Sequence, residues 1–384
     1  MTLPVYLDYN GTTPLDPEVI AAMRPFLEEE FGNPSSSHWY GIKPKQAVEK
    51  ARRQVAKLLG CLPEEIFFTS GGTESNNHAI KGIARALRHK GRHIITSAFE
   101  HPAVLEVCRY LKGKGFETTL VPVDDMGMLD PERVKQALRP DTILITVMHA
   151  NNEVGTVQPV KAVAGLAREH GIVMHSDAAQ SPGKIPVDVQ VLGVDMLSIA
   201  GHKIYAPKGT GALYVRKGIA PEKFCHGAGQ EKEWRAGTEN VPGIVGLGKA
   251  CEIAARDMGT AMTRMKEMRD RLHRGIAEKV PGIRLNGHPE NRLPNTLSLS
   301  FMGLEANRLL EEIGLEVAAS AGAACHAETV AVSHVLEAMR VPLEWSKGTL
   351  RFSVGRMTTG QEIDRAINAV VNAVTLLRSE NPSL

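Results

Sequence analysis

Between residues 16 and 260, short apolar runs recur between helical stretches, and this alternation restricts the possible folds more than any other feature. "IFFTS", "HIITS", "TTLVPV", "TILITVM" and "IVMHSD" have the β-branched and aromatic content of strands. Helical patterns lie around them. One is capped by Asp16-Pro17 and runs to about Glu30, "AVEKARRQVAKLL" is a second, and others follow Thr73, Pro102 and Asp130-Pro131 or span "VKAVAGLAREH". Short strands alternating with helices predict a parallel sheet covered on both faces. Ligands of such sheets bind at the carboxyl ends of the strands. The polar clusters "TSGGTESNN", "SAFEHP", "HANNEVG", "HSDAAQ" and "IAGHK" all follow apolar runs, so they converge on one edge and predict the site.

Beyond this region, "VGLGKACEIAARDMGTAMTRMKEMRDRLHRGIAEK" predicts a long helical stretch, broken or eased at its glycines, that bridges to a second unit. From about residue 281, "TLSLSF", a helix near Leu309, "EVAAS", "VSHVLEAM", "TLRFSV" and a last helix from Gln361 predict a smaller α+β domain. A length of 384 residues suits two domains, and 43% hydrophobic with 23% charged residues suits a soluble globular protein. A net charge of +2 from scattered basic residues argues against a nucleic-acid partner. The N-terminus lacks a signal-peptide pattern and no apolar run is long enough to span a membrane. Cys61, Cys108, Cys225, Cys251 and Cys325 are odd in number and form no CxxC, against a disulfide framework or structural zinc. A reduced, cytoplasmic setting is expected.

Four places in the sequence carry chemistry. Gly71 and Gly72 permit a tight turn before Thr73 opens a helix, and a helix N-terminus binds phosphate through its free N–H groups. A plain helix cap is the competing account. Asp177 ends an apolar strand, where a carboxylate needs a partner. That partner is either a metal, with His175 on the same strand face, or a protonated heterocyclic nitrogen. Spacing places no third metal ligand. Lys203, in "SIAGHKIYAPKGTG", sits at a strand end among glycines. A lysine there, beside an acid and a phosphate cradle, matches a Schiff-base lysine for pyridoxal 5′-phosphate. His101 has a flat face suited to stacking on a pyridine, although a strand-end histidine also serves structure alone.

"YLDYNGTTP", "FGNPSSSH", "FFTSGGTESNN", "EHPAV", "ANNEVGTVQPV", "HSDAAQSPGKIPVDV", "GHKIYAPKG" and "GTENVPGIVG" resemble the class V aminotransferase family, and within it the cysteine desulfurase and selenocysteine lyase branch. The resemblance runs in order over nearly the whole chain. It implies the fold type I of pyridoxal-phosphate enzymes: α/β, with a large doubly wound, mostly parallel sheet domain over residues 13–260 and a small α+β domain from 1–12 and 261–384. It implies that Lys203 carries pyridoxal 5′-phosphate and moves the substrate's α-proton. Asp177 would pair with the ring nitrogen, and His101 would stack on the ring and take part in catalysis. Gln180 and Asn152 would hydrogen-bond the ring-oxygen side. Gly72, Thr73 and His202 would hold the phosphate, and Thr238 would reach the partner subunit's phosphate in a homodimer. The family often has serine where this chain has Ala200, so one phosphate hydrogen bond would be missing or replaced by water.

In "ASAGAACHAE", Cys325 falls at the family's catalytic cysteine, and its small neighbours suit a mobile loop. By itself it would read as a buried core thiol. Arg351, between apolar neighbours in "TLRFSV", would clamp the substrate's α-carboxylate, with an internal salt bridge as the competing account. "GAACH" and Ala200 resemble the selenocysteine lyase form, which gives L-alanine and selenide. The alternative is a cysteine desulfurase that leaves a persulfide on Cys325 for a sulfur-acceptor protein. Two rivals of other classes are a metal-dependent hydrolase built on His101, His175 and Asp177, and a non-catalytic scaffold.

Overall fold

A computed structural model describes residues 3–321, 323–326 and 329–380. After a short first strand, β1 (Val5–Tyr6), the chain builds a seven-stranded sheet. Its strands are β2 (Ile66–Thr69), β3 (His93–Ser97), β4 (Glu117–Val121), β5 (Thr142–Thr146), β6 (Val173–Asp177), β7 (Met196–Ala200) and β8 (Gly211–Val215). Their spatial order is β2-β8-β7-β6-β5-β3-β4. The β4-β3-β5-β6-β7 block is parallel, as the alternation predicts. β8 departs from the prediction, running antiparallel to both β7 and β2. The chain passes from β7 to β8 through residues 201–210, opened by the turn Gly201–Lys203. A parallel return would need a crossover of a dozen or more residues, which that link cannot provide. All strands but β4 are buried along their whole length, as helix-covered strands must be.

The predicted first helix spans Pro17–Glu28, and Asp16 accepts a hydrogen bond from the Glu18 N–H at 2.7 Å. The expected long helix is present, and of the two roles expected for its glycines the break does not occur. Val241–Ala277 is one helix of 37 residues. Its glycines mark close approach instead. A Cβ at Gly248 would lie 2.5 Å from Ala51 Cα, in the neighbouring helix Trp39–Leu59, and one at Gly246 would lie 2.8 Å from Met23 Sδ.

The remaining strands are β9 (Ile283–Asn286), β10 (Thr296–Phe301), β11 (Val317–Ala318), β12 (Ser320–Ala321), β13 (Ala323–His326), β14 (Thr329–Val332) and β15 (Thr349–Ser353). β12-β15-β10-β9 form an antiparallel sheet, β11 pairs parallel with β1, and β13 and β14 form a hairpin. An apolar cluster joins Val5 and Leu7 to Leu272, Leu299, Phe352 and Val370, so the start of the chain packs with its last third. Among the described residues no helix is long and apolar enough to cross a membrane.

Candidate active site

A cavity of about 370 Å³ opens at the carboxyl edge of the main sheet. Each cluster singled out in the sequence contributes to its wall: Gly72 and Thr73 after β2, His101 after β3, Asn152 after β5, Asp177 and Gln180 from β6 onward, and His202 and Lys203 after β7. Arg351, on β15, closes the cavity from the small sheet. Thr238 is exposed and is not among the residues lining it. Cys325 lies on β13, paired with Val330, and its side chain lies outside the described residues.

Lys203 ends the turn Gly201–Lys203 directly beyond β7. Gly201 is required there by close approach, because a Cβ would meet the Thr210 hydroxyl oxygen at 2.7 Å. The half-buried ammonium donates to the main-chain carbonyls of Asn10 and, at 2.6 Å, Gly11. Burial, and then the charge of Arg351, bring its pKa from 10.5 down to about 8, against the opposing pull of Asp8 and Asp177. The amine is therefore half neutral near pH 8, where a free lysine would be almost wholly charged, and can act as a nucleophile.

Asp177 is buried and has both carboxylate oxygens bonded. Asn76 Nδ2 donates to one at 2.6 Å and the Ala179 N–H to the other at 2.9 Å. Asn76 also lines the cavity, and its own Oδ1 is buried without a partner. Gln180 donates from Nε2 to the Asn10 carbonyl at 3.1 Å and accepts from buried Lys184 at 2.9 Å. Asn152 lines the cavity, and its main-chain oxygen accepts from Asn10 and Arg351. His101 Nδ1 accepts from the Ala103 N–H at 3.0 Å, which caps the helix Pro102–Lys112 and leaves the proton on Nε2. His202 contacts the Thr12 hydroxyl at 3.2 Å, and burial, with Lys203 beside it, lowers its pKa to about 4, so the ring is neutral.

The metal alternative meets an obstacle at His175. Its Nδ1 contacts the Thr146 hydroxyl at 2.8 Å and its Nε2 the Ser198 hydroxyl at 3.0 Å, so neither nitrogen is free for a cation. Among the described residues no group of three His, Cys, Asp or Glu side chains could hold a metal.

The residues present do fit pyridoxal phosphate. The helix Gly72–Ala86 begins at Gly71, whose φ of 148° is one that glycine adopts readily, and no side chain caps it. Its first N–H groups therefore remain for an anion from the cavity. A Cβ at Gly72 would come within 3.3 Å of Ala200 Cβ, so glycine and alanine together let the two backbones close around that corner. Gly72 and Ala200 both line the cavity at this corner.

Three residues of the cavity wall or its support, Asn76, Asp8 and Asn10, lie within the quoted motifs but received no role there. Asn76 was within reach, since it shares a helix face with Gly72 and Thr73. Asp8 and Asn10 gave no spacing signal, because their partners on β15 lie some 340 positions away.

Residues 5–366 match the family model described as Aminotransferase class-V. A Dictyoglomus turgidum protein named Cysteine desulfurase IscS is 49% identical over 383 residues, covering 100% of this chain and 97% of that one. A Methanosarcina thermophila protein of the same name is 48% identical over 379 residues, covering 98% and 94%. Among solved structures, one described as a NifS-like protein matches with a TM-score of 0.92 at 39% identity, covering 97% of this chain and 100% of that one. Another, SspA in complex with cysteine, matches with a TM-score of 0.82 at 37% identity, covering 93% and 100%.

Proposed function

The chain belongs to the class V aminotransferase family, whose enzymes depend on pyridoxal 5′-phosphate, and from that premise we propose that it is a cysteine desulfurase. L-cysteine would give L-alanine, with the sulfur left as a persulfide on Cys325 for an acceptor protein. The observation that carries this is the cavity itself, which gathers a lysine of lowered pKa, an uncapped helix start, a buried aspartate and an arginine around one space. The relatives named for cysteine desulfurase favour sulfur over selenium, so the expectation of a selenocysteine lyase gives way to the alternative.

When bound, pyridoxal phosphate supplies an aldehyde for amines and a ring that draws electron density from the substrate's α-carbon. The rest is the work of this chain. The N–H groups of Gly72 and Thr73, with His202, would hold the phosphate. Asp177, fixed by Asn76, would pair with the ring nitrogen. Lys184, donating to Gln180 Oε1, turns the Gln180 N–H toward Asn10 and the cavity. Lys203, as a neutral amine, removes the α-proton and later returns a proton to carbon. Arg351 would take the α-carboxylate. The Cys325 thiolate attacks the substrate sulfur, forming an S–S bond as the Cβ–S bond breaks. Atoms balance as one cysteine plus one thiol going to one alanine plus one persulfide.

Residues 13–260 would form the cofactor-binding unit, with 1–12 and 261–384 as the smaller one. A homodimer with Thr238 reaching the partner's phosphate accounts for the exposure of that residue. The test is alanine release from L-cysteine compared with L-selenocysteine, together with mass spectrometry of the peptide containing Cys325. A persulfide on Cys325 and fast cysteine turnover are expected. Turnover of selenocysteine alone, without the adduct, would restore the lyase assignment.

A further inference from the structure

The guanidinium of Arg351 is already occupied. Nη2 donates to Asp8 Oδ1 at 2.6 Å and to the Ser320 hydroxyl at 3.0 Å, and Nη1 donates to the Asn152 carbonyl at 3.2 Å. Nε is buried and has no partner. A guanidinium grips a carboxylate with two parallel N–H bonds along one of two edges, Nε with Nη2 or Nη1 with Nη2. Both edges need a hydrogen of Nη2, and both of those hydrogens are spoken for. A substrate carboxylate can therefore gain a two-pronged grip only by displacing Asp8 or Ser320.

Of the two, Asp8 resembles the incoming group. Its carboxylate is a quarter exposed, behind the cavity-lining Arg351, while the arginine is more deeply buried. It approaches Gly11 so closely that a Cβ there would lie 2.3 Å from Oδ2. The aspartate is thus held by the N-terminal segment, next to the carbonyl of Gly11 that receives Lys203. Its main chain is tied independently, since the Gly11 N–H donates to the Asp8 carbonyl at 2.9 Å.

We propose that Asp8 is a specificity-determining residue: an internal stand-in for the substrate's α-carboxylate, holding Arg351 in the resting enzyme and exchanged for the carboxylate when substrate binds. This rests on Arg351 being the carboxylate site. The exchange keeps Arg351 from being left as an uncompensated buried cation between turnovers. It also weakens substrate binding, because each α-carboxylate must compete with an anion already in place. Ligands without a carboxylate do not engage in that competition.

The test uses the holoenzyme and its cofactor absorbance. Asp8→Asn removes the charge and keeps the shape. It is expected to lower KM for L-cysteine and Kd for L-alanine by about threefold to tenfold, the scale of one charged contact in a partly wet site. Kd for cysteamine, which lacks the carboxylate, is expected to stay within about twofold, on the same footing. An unchanged or raised KM for cysteine, or an equal change for cysteamine, overturns the proposal. Asp8→Ser repeats the measurement should the asparagine variant not fold. Arg351→Gln separates the two premises: if it leaves KM for cysteine unchanged, the carboxylate site lies elsewhere, and that reading fails rather than the competition argument.

Discussion

Asp177 and Asn76 show how a functional acid can be altered without wrecking its surroundings. Replacing Asp177 by asparagine puts an NH₂ group against the Asn76 Nδ2, a clash of donors. Asn76 can turn its amide over, because its Oδ1 has no other partner. Asp177→Asn is therefore expected to cost under about 1 kcal/mol of stability by denaturant titration, near the net worth of one neutral hydrogen bond. Its kcat is expected to fall by about a hundredfold or more, since a neutral amide cannot hold a ring proton. Near-normal kcat would make Asp177 structural. Lys203 yields a second expectation. Its lowered pKa means that the native amine sheds its proton above about 8, while an unfolded lysine keeps it to about 10.5. Capture of added pyridoxal phosphate by the apoprotein should rise with pH through about 8 and level off above it. A midpoint near 10 would show that burial does not act on this amine. Lys203 and Asp177 were legible because each is a charged residue ending an apolar strand. The role of Asp8 was not, since it depends on a contact that only the folded chain creates.

At the scale of elements, the alternation of strands and helices was legible because a buried parallel strand leaves a short apolar run with a polar end. The direction of β8 was not, since "GALYV" reads the same in either sense and only the short link from β7 fixes it. Glycine in the long helix misled for a related reason: a sequence does not distinguish a glycine that eases a helix from one that admits a neighbour. Two glycines of Val241–Ala277 make the distinction measurable. A Cβ at Gly248 would lie 2.5 Å from Ala51 Cα, whereas one at Gly259 would meet nothing within 4 Å. Gly259→Ala should stabilise by about 0.5–1 kcal/mol through lost backbone freedom in the unfolded chain. Gly248→Ala should destabilise by about 1–3 kcal/mol, because overpacking outweighs that gain. Denaturant midpoints of the two variants decide it, and equal shifts of the same sign would mean that the helices do not meet there.

At the scale of the whole molecule, the surface carries a feature that one copy of the chain leaves unexplained. Phe31 is 78% exposed, Trp39 74% and Tyr40 59%, and the rings of Phe31 and Tyr40 stack at 5.5 Å. Large aromatic side chains grouped in water mark an interaction surface. Nearby, Pro34 and Ser35 line a groove together with Gln230, Lys232 and Glu239, so the aromatic patch adjoins the segment that holds Thr238. That segment is anchored rather than loose. Glu231 is buried in a two-pronged pair with Arg52 and also accepts from the Phe68 N–H at 2.8 Å. Arg235 pairs with Glu74, one residue beyond Thr73 in the first turn of the uncapped helix. An exposed threonine on an anchored segment, beside an apolar patch, fits a contact made across a homodimer axis. Trp39→Asp places a charge in that patch without touching the cavity. It is expected to populate monomer in sedimentation at assay concentrations and to speed loss of pyridoxal phosphate, as the proposed reach of Thr238 into the neighbouring subunit's site requires. Thr238→Ala should speed cofactor loss while the dimer persists. A Trp39→Asp monomer that holds its cofactor as tightly as the parent protein would mean that each site is complete within one chain.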